Sequence, residues 1–259
     1  MNILVIPDSH ARHGVTNERY VWAANLAFDR KPDIIVQLGD WYDMPSLSSY
    51  DKGKKSFEGR RYKLDIDAGN AAIMSFEYTL TKLAREEAAR TKKATYRPKK
   101  YALAGNHEER ILRAINNQAE LAGTIGYHDF LFSEYGWNFS DYMEPVVLSG
   151  VAFSHCFGSG VMNKPIGGEN PAATLIRKKL HTCVAGHSHL RDFAERTDVA
   201  GRRIQGLFAG CYLEPDQTED YAGEAQKLWW NGLTYLHDVK DGTFDPEFIS
   251  MERIVREYA

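Results

Sequence analysis

Cysteine is scarce in this chain: three residues in 259, Cys156, Cys183 and Cys211, with no C-x-x-C pair. That spacing excludes a disulfide framework and a zinc finger. No apolar run approaches the length of a signal peptide or a membrane span, and the N-terminal "ILVI" covers only residues 3–6. The expectation is a cytoplasmic protein with no membrane partner. Positive charge is not in excess either, because 32 Lys and Arg face 35 Asp and Glu for a net −3. Nothing global therefore calls for a nucleic-acid partner. Linkers rich in Gly, Ser or Pro, internal repeats and low-complexity tracts are missing, so residues 1–259 read as one domain. Neither G-x-S-x-G nor C-x5-R occurs, which removes the usual sequence signs of a serine or cysteine nucleophile. The sequence leaves the oligomeric state open.

What is present reads as alternating strands and helices, with strands gathering late. "NILVI" (2–6) and "DIIVQL" (33–38) are unbroken apolar runs of the kind found in buried parallel strands. Between them, residues 17–30 predict a helix that starts at Asn17 and carries Val21, Trp22, Leu26 and Ala27 on one face. Ile73, Phe76, Leu80 and Leu83 step by three and four, which predicts a long helix over 66–90. "KKYALAG" (99–105) is a third strand, and shorter strands fall within 137–155. Asn170-Pro171 suits the N-cap and first turn of a helix to about Leu180. "TCVAG" is again a strand, and residues 190–250 read as β-ribbons. An αβ half is followed by a β-rich half.

The polar residues that end these strands carry the chemistry. "NILVIPDSH" ends in Asp8 and His10, "DIIVQLGD" in Asp40, and "YALAGNHE" in Asn106, His107 and Glu108. "VAFSH" ends in His155 and "TCVAGHSH" in His187 and His189. In an extended segment, residues i and i+2 point the same way, so His187 and His189 would offer two imidazoles to one spot. Any one strand end of this kind is an ordinary turn. Five together place carboxylate, imidazole and amide groups where open α/β sheets form their ligand crevices. Mixed Asp, His and Asn donors suit a hard-to-borderline divalent metal site.

D-x-H (Asp8, His10), G-D-x-x-D (Gly39, Asp40, Asp43), G-N-H-E (Gly105 to Glu108), a lone later histidine (His155) and G-H-x-H (Gly186 to His189) resemble the calcineurin-like metallophosphoesterases in order and placement. The resemblance implies an α/β fold of four layers, an αββα sandwich of two mixed β-sheets flanked by helices, with a dimetal centre on one edge. By position it gives Asp8, His10 and His189 to one ion and Asn106, His155 and His187 to the other, with Asp40 bridging. It implies two divalent ions, manganese first, with Fe, Zn, Ni or Co as the other candidates. A metal-bridging hydroxide would then attack a phosphate mono- or diester, with a nucleotide or other small ester as substrate and no covalent nucleophile. His107 would stand near the leaving oxygen and Asp43 would orient it. The role of Glu108 stays open, since an acidic residue there could equally begin a helix.

The departures shape the substrate reading. The protein Ser/Thr phosphatases of this superfamily follow G-D-x-x-D with Arg-Gly, and that arginine grips the phosphate; here the positions are Met44 and Pro45. Ala11 replaces the usual glycine after D-x-H, and Arg12 and His13 follow it, so Arg12 is a candidate phosphate ligand beside Asn106. A basic insertion at about 44–65 includes "YDKGKKSFEGRRYK" (50–63), with six basic residues against two acidic ones, Asp51 and Glu58. Lys54, Lys55, Arg60 and Arg61 are the candidates for a rim that draws in a polyanion. That rim carries the alternative reading, a nuclease or nucleic-acid end-processing phosphatase. The nucleases of the superfamily append a DNA-contacting domain, whereas the 70 residues after His189 are expected to finish the sandwich.

Overall fold

Alternation along the strands divides the interior into three layers of apolar side chains. In β1 (Ile3–Ile6), Ile3 and Val5 face one way and Leu4 and Ile6 the other. The computed structural model describes residues 1–49, 52–217, 219 and 222–259, so Tyr50 and Asp51 of the basic segment lie outside the described residues. The other elements in chain order are α1 (Glu18–Arg30), β2 (Ile34–Gln37), α2 (Tyr62–Thr91), β3 (Lys99–Leu103), α3 (Glu109–Asn117), β4 (Trp137–Ser140), β5 (Val146–Leu148), β6 (Val151–Ser154), β7 (Gly158–Ser159) and β8 (Lys164–Pro165). They continue with α4 (Pro171–Lys179), β9 (Cys183–Ala185), β10 (Arg191–Thr197), β11 (Arg203–Ala209), β12 (Gly232–Lys240), β13 (Thr243–Ser250) and α5 (Met251–Tyr258).

One six-stranded sheet has the order β13-β12-β1-β2-β3-β4, and a five-stranded sheet has the order β10-β11-β9-β6-β5. Both are mixed: β1 to β4 are parallel neighbours, as are β6, β9 and β11, while β12, β13, β10 and β5 run antiparallel to their partners. Ile3, Val5, Ile34, Val36 and Leu103 of the first sheet meet Val151, Phe153, Val184 and Leu207 of the second. Each such side chain, fully buried, contributes about 1.5–3 kcal/mol. On the outer face of the first sheet, Leu4, Ile6 and Ile35 pack under α1, α2 and α5 through Ala23, Leu26, Phe76 and Ile254. On the outer face of the second, Ala152, Cys183 and Phe208 pack under Ala172 and Leu175 of α4. The result is the expected αββα sandwich.

Boundaries differ in instructive ways. The long helix starts at Tyr62 rather than residue 66, so its first turn takes in the end of the basic segment. Asn170 precedes α4, but its side chain makes no capping hydrogen bond; the amide of Ala172 donates to the Asp192 carboxylate of β10 instead, at 2.8 Å. A neighbouring strand supplies the cap. No helix among the described residues is long and apolar enough to cross a membrane.

Candidate metal centre

Strands β1, β2 and β3 are parallel in one sheet and β6 and β9 are parallel in the other, and their C-terminal ends deliver the seven sequence-selected donors to one place. Asp8, His10, Asp40, His155 and His189 are buried there, with side chains 0–5% exposed. One group of ligand atoms within 4.8 Å of one another comes from Asp8, His10 and His189, and another from Asp8, Asp40 and His155.

The backbone is bent to make this convergence. His10, Asp40, His187 and His189 all have left-handed φ, from 45° to 67°. Lys31, Lys92 and Leu180 share that region as ordinary helix C-caps, but the four site residues cap nothing. Such conformations cost about 1–3 kcal/mol each and persist where surrounding structure enforces them. The glycines of the motifs allow close approach. A Cβ on Gly105 would fall 2.0 Å from Asp40 Oδ1, and one on Gly186 would fall 2.3 Å from Asp8 Oδ1. The amide of His187 donates to Asp8 at 2.9 Å and that of His107 to Asp40 at 2.9 Å, tying each loop to the carboxylate beside it.

The imidazoles are aimed. His155 Nδ1 donates to the Leu38 carbonyl at 3.0 Å, which leaves Nε2 as a lone pair. That lone pair faces Asn106 Oδ1 at 2.9 Å, His187 Nδ1 at 3.2 Å and Asp40 Oδ2 at 3.4 Å. Asn106 Oδ1 and His187 Nδ1 are themselves 2.7 Å apart. On the other side, His189 Nε2 lies 3.1 Å from Asp8 Oδ2 and its ring meets Trp229 edge-on at 4.1 Å. His10 is fully buried with no hydrogen bond at either ring nitrogen; Nε2 is 3.6 Å from Asp40 Oδ2 and Nδ1 is 3.6 Å from Glu219 Oε1.

Beside the donors stands a second set. His107 Nδ1 faces the Asp43 carbonyl at 2.7 Å and its Oδ1 at 3.1 Å. His107 Nε2 meets Arg110 Nη2 at 3.0 Å, and Arg110 Nη1 donates to the carbonyls of Asp43 and Met44 at 2.8 and 3.1 Å. A guanidinium only donates, so Nε2 is the acceptor and the ring is neutral. Burial lowers the His107 pKa in the same direction, with Asp40 opposing. Glu108 is a clamp: its carboxylate accepts from the amides of Asp40, Tyr42 and Gly105 at 2.8–3.0 Å. Burial, then the nearby Asp40 charge, raises it to about 7. Arg12 hydrogen-bonds Asp43 through Nε and chelates Glu219 through Nη2, so two buried carboxylates neutralise it.

These groups line a cavity of about 820 Å³ with Arg12, His13, Asn106, His107, Arg110, His187 and His189 on its walls. Arg60 and Arg61 also line it; Lys54 and Lys55 are exposed and do not. Glu108, Arg110 and Glu219 are the residues that sequence reasoning left without a role.

The model of the calcineurin-like phosphoesterase family matches residues 1–191, about three-quarters of the chain. The chain belongs to this family. It is thus a metal-dependent phosphoesterase, with the His and Asp groups to hold a metal. Among solved structures it is similar to TT1561 of Thermus thermophilus, at 11% identity over 95% of this chain and 98% of that one, with a TM-score of 0.40. A second solved structure is similar at 14% identity, covering 96% and 99% of the two chains, with a TM-score of 0.39. No curated protein matches the phosphoesterase.

The donor set fits divalent ions. Donor atoms sharing one ion at ~2.1 Å stand roughly 3.0–3.4 Å apart, close to the 2.7–3.4 Å among Asn106, His155, His187 and Asp40. Around His10, burial opposes a charge, yet the carboxylates of Asp40, Glu219 and Asp43 outweigh it and carry the imidazole up to about 10. A place that pulls a proton onto a buried ring so strongly is a place where a cation is favoured. His107 could join His10 and Asp40 in a third such group, but it differs from the other histidines in that one partner of its ring is a cation, Arg110.

Proposed function

We propose that the protein is a dinuclear phosphoesterase that hydrolyses a phosphate mono- or diester of a nucleotide or other small molecule. The observation that carries this is the convergence of Asn106 Oδ1, His155 Nε2 and His187 Nδ1, three atoms of metal-ligating type, 2.7–3.2 Å apart beside Asp40. In this reading Asp8, His10 and His189 hold one ion, Asn106, His155 and His187 hold the other, and Asp40 serves both. When bound, two such ions polarise a phosphoryl group and bring the pKa of coordinated water toward neutrality. The chain's own residues do the rest. Leu38 fixes the tautomer of His155. Asp43 holds His107 with Nδ1–H inward, which leaves its other edge and Arg110 toward the leaving oxygen. The cavity of about 820 Å³ is in the range that encloses a nucleotide-sized ligand.

Manganese is the ion to load first. Reconstituted protein should hold two ions per chain and hydrolyse members of a panel of mono- and diesters, nucleotides and labelled DNA. One ion or fewer, or no hydrolysis of any ester, would defeat the reading. The nucleic-acid alternative draws support from Arg60 and Arg61 on the cavity wall. Neutralising that pair should raise KM for DNA or nucleotides and flatten the salt dependence, while a small aryl phosphate is hydrolysed as before. Neutralising Lys54 and Lys55, which stand off the cavity, should do less.

A further inference from the structure

Four arginines line the catalytic cavity, Arg12, Arg60, Arg61 and Arg110; Arg12 and Arg110 both hydrogen-bond Asp43, and their charge balance differs. Arg12 is neutralised twice, by Asp43 and by the paired oxygens of Glu219. Arg110 has no carboxylate within 4.0 Å among the described residues; its hydrogen-bond partners are two carbonyl oxygens and the neutral Nε2 of His107. The three contacts use three of the five N–H donors of the guanidinium. The group is half-buried and lines the same cavity as Asn106, His107, His187 and His189. The nearby Asp65 carboxylate feels this charge but does not touch the guanidinium, and a partly desolvated cation held rigidly with donors to spare can still take the oxygens of an anion.

We infer that Arg110 is the phosphate-binding arginine of this site, completing its hydrogen bonds with the oxygens of the substrate phosphoryl group. The inference rests on the phosphoesterase reading above. It answers the question raised at position 44, where Met44 is buried in the core under the first sheet and offers the substrate nothing. Arg110 comes instead from the first turn of α3, and its Nη1 is anchored on the carbonyl of that same Met44. The anchor sets the plane of the fork, and His107 Nε2 sets its tilt. Arg12, which the sequence offered for this role, is a positioning residue that orients Asp43 and Glu219 around His10.

The test is the binding of inorganic phosphate to manganese-loaded protein by calorimetry, with metal content measured on the same samples. Arg110→Met should retain the wild-type metal content and bind phosphate roughly 10- to 100-fold more weakly, the loss of charge-assisted hydrogen bonds. Arg110→Lys should fall between them, since it keeps the charge without the fork. Arg12→Met should lower phosphate affinity less than Arg110→Met. Equal phosphate affinity in Arg110→Met and wild type, at equal metal content, overturns the inference. Should the Met variant not fold, the wild type still decides: phosphate must protect Arg110 from phenylglyoxal, read by mass spectrometry, and absence of protection overturns it. A wild-type protein that takes up no metal would instead defeat the reading beneath it.

Discussion

On one side of Asp40, His155 is aimed by the Leu38 carbonyl and its Nε2 meets Asn106 Oδ1 and His187 Nδ1. On the other side, neither ring nitrogen of His10 has a hydrogen bond; the ring stacks on His107 at 4.4 Å and sits among Asp40, Asp43 and Glu219. The first half of the cradle is organised by backbone direction and carries little charge of its own. The second is organised by charge, with Asp8 against His189 and two further carboxylates behind His10. Orientation and charge are alternative ways to hold a cation, and in the dinuclear reading proposed above each side of the site would use one of them.

The largest effect should come from removing what the halves share. Asp40→Asn should lower turnover by at least ~10³-fold, about 4 kcal/mol, and leave one ion or fewer per chain by elemental analysis. Retention of two ions with near wild-type turnover would dissolve the comparison altogether. Next comes Glu108→Gln, which strikes the backbone-organised half. Its one remaining oxygen can serve either the Tyr42 amide or those of Asp40 and Gly105, and its NH2 is then set against the amides on the other side. The buried mismatch should cost ~2–4 kcal/mol in urea unfolding.

A manganese titration should then resolve two affinities about tenfold or more apart, with the carboxylate-rich side filled first. His10→Asn should remove the tighter event and His187→Asn the weaker one; the opposite pairing would show that orientation outweighs charge. The smallest effect expected is that of Glu219→Gln, which keeps the shape behind His10 and removes its charge. It should weaken the tighter event by ~10-fold, with urea stability shifted by less than about 1 kcal/mol.

The convergence of the seven candidate donors was readable because each follows an apolar strand, and parallel strands have only one end at which such residues can gather. Glu219 was not. It lies in the polar stretch "EPDQTEDYAGE", and its partner Arg12 is 207 residues away. No local pattern encodes a contact of that span. Arg110 was closer to legible, since it is three residues from His107 and the two share a helical turn once α3 begins at Glu109. That helix buries only Ile111, and α5 buries only Met251 and Ile254, too few positions to establish a period. The backbone direction at His10, Asp40, His187 and His189 also escaped the reading, because left-handed φ at non-glycine residues follows from loops closing on one another.

The pairing of β1 has a consequence for the order of events during synthesis. Its two neighbours are β2, made almost at once, and β12, whose residues 232–240 emerge last but for one ribbon and one helix. Asp8 itself is tied to a residue made after the family-matched stretch, since its carbonyl accepts from the amide of Tyr212 at 2.7 Å. A ribosome that has just added residue 191 has produced every donor of the cradle and the whole stretch matched by the family. It has not yet produced the strands that hold the first of them in place. Contacts of such separation close slowly, so the nascent chain passes through a period in which its metal-seeking side chains exist without a scaffold. Free manganese or zinc met in that interval would find loose histidines rather than a site.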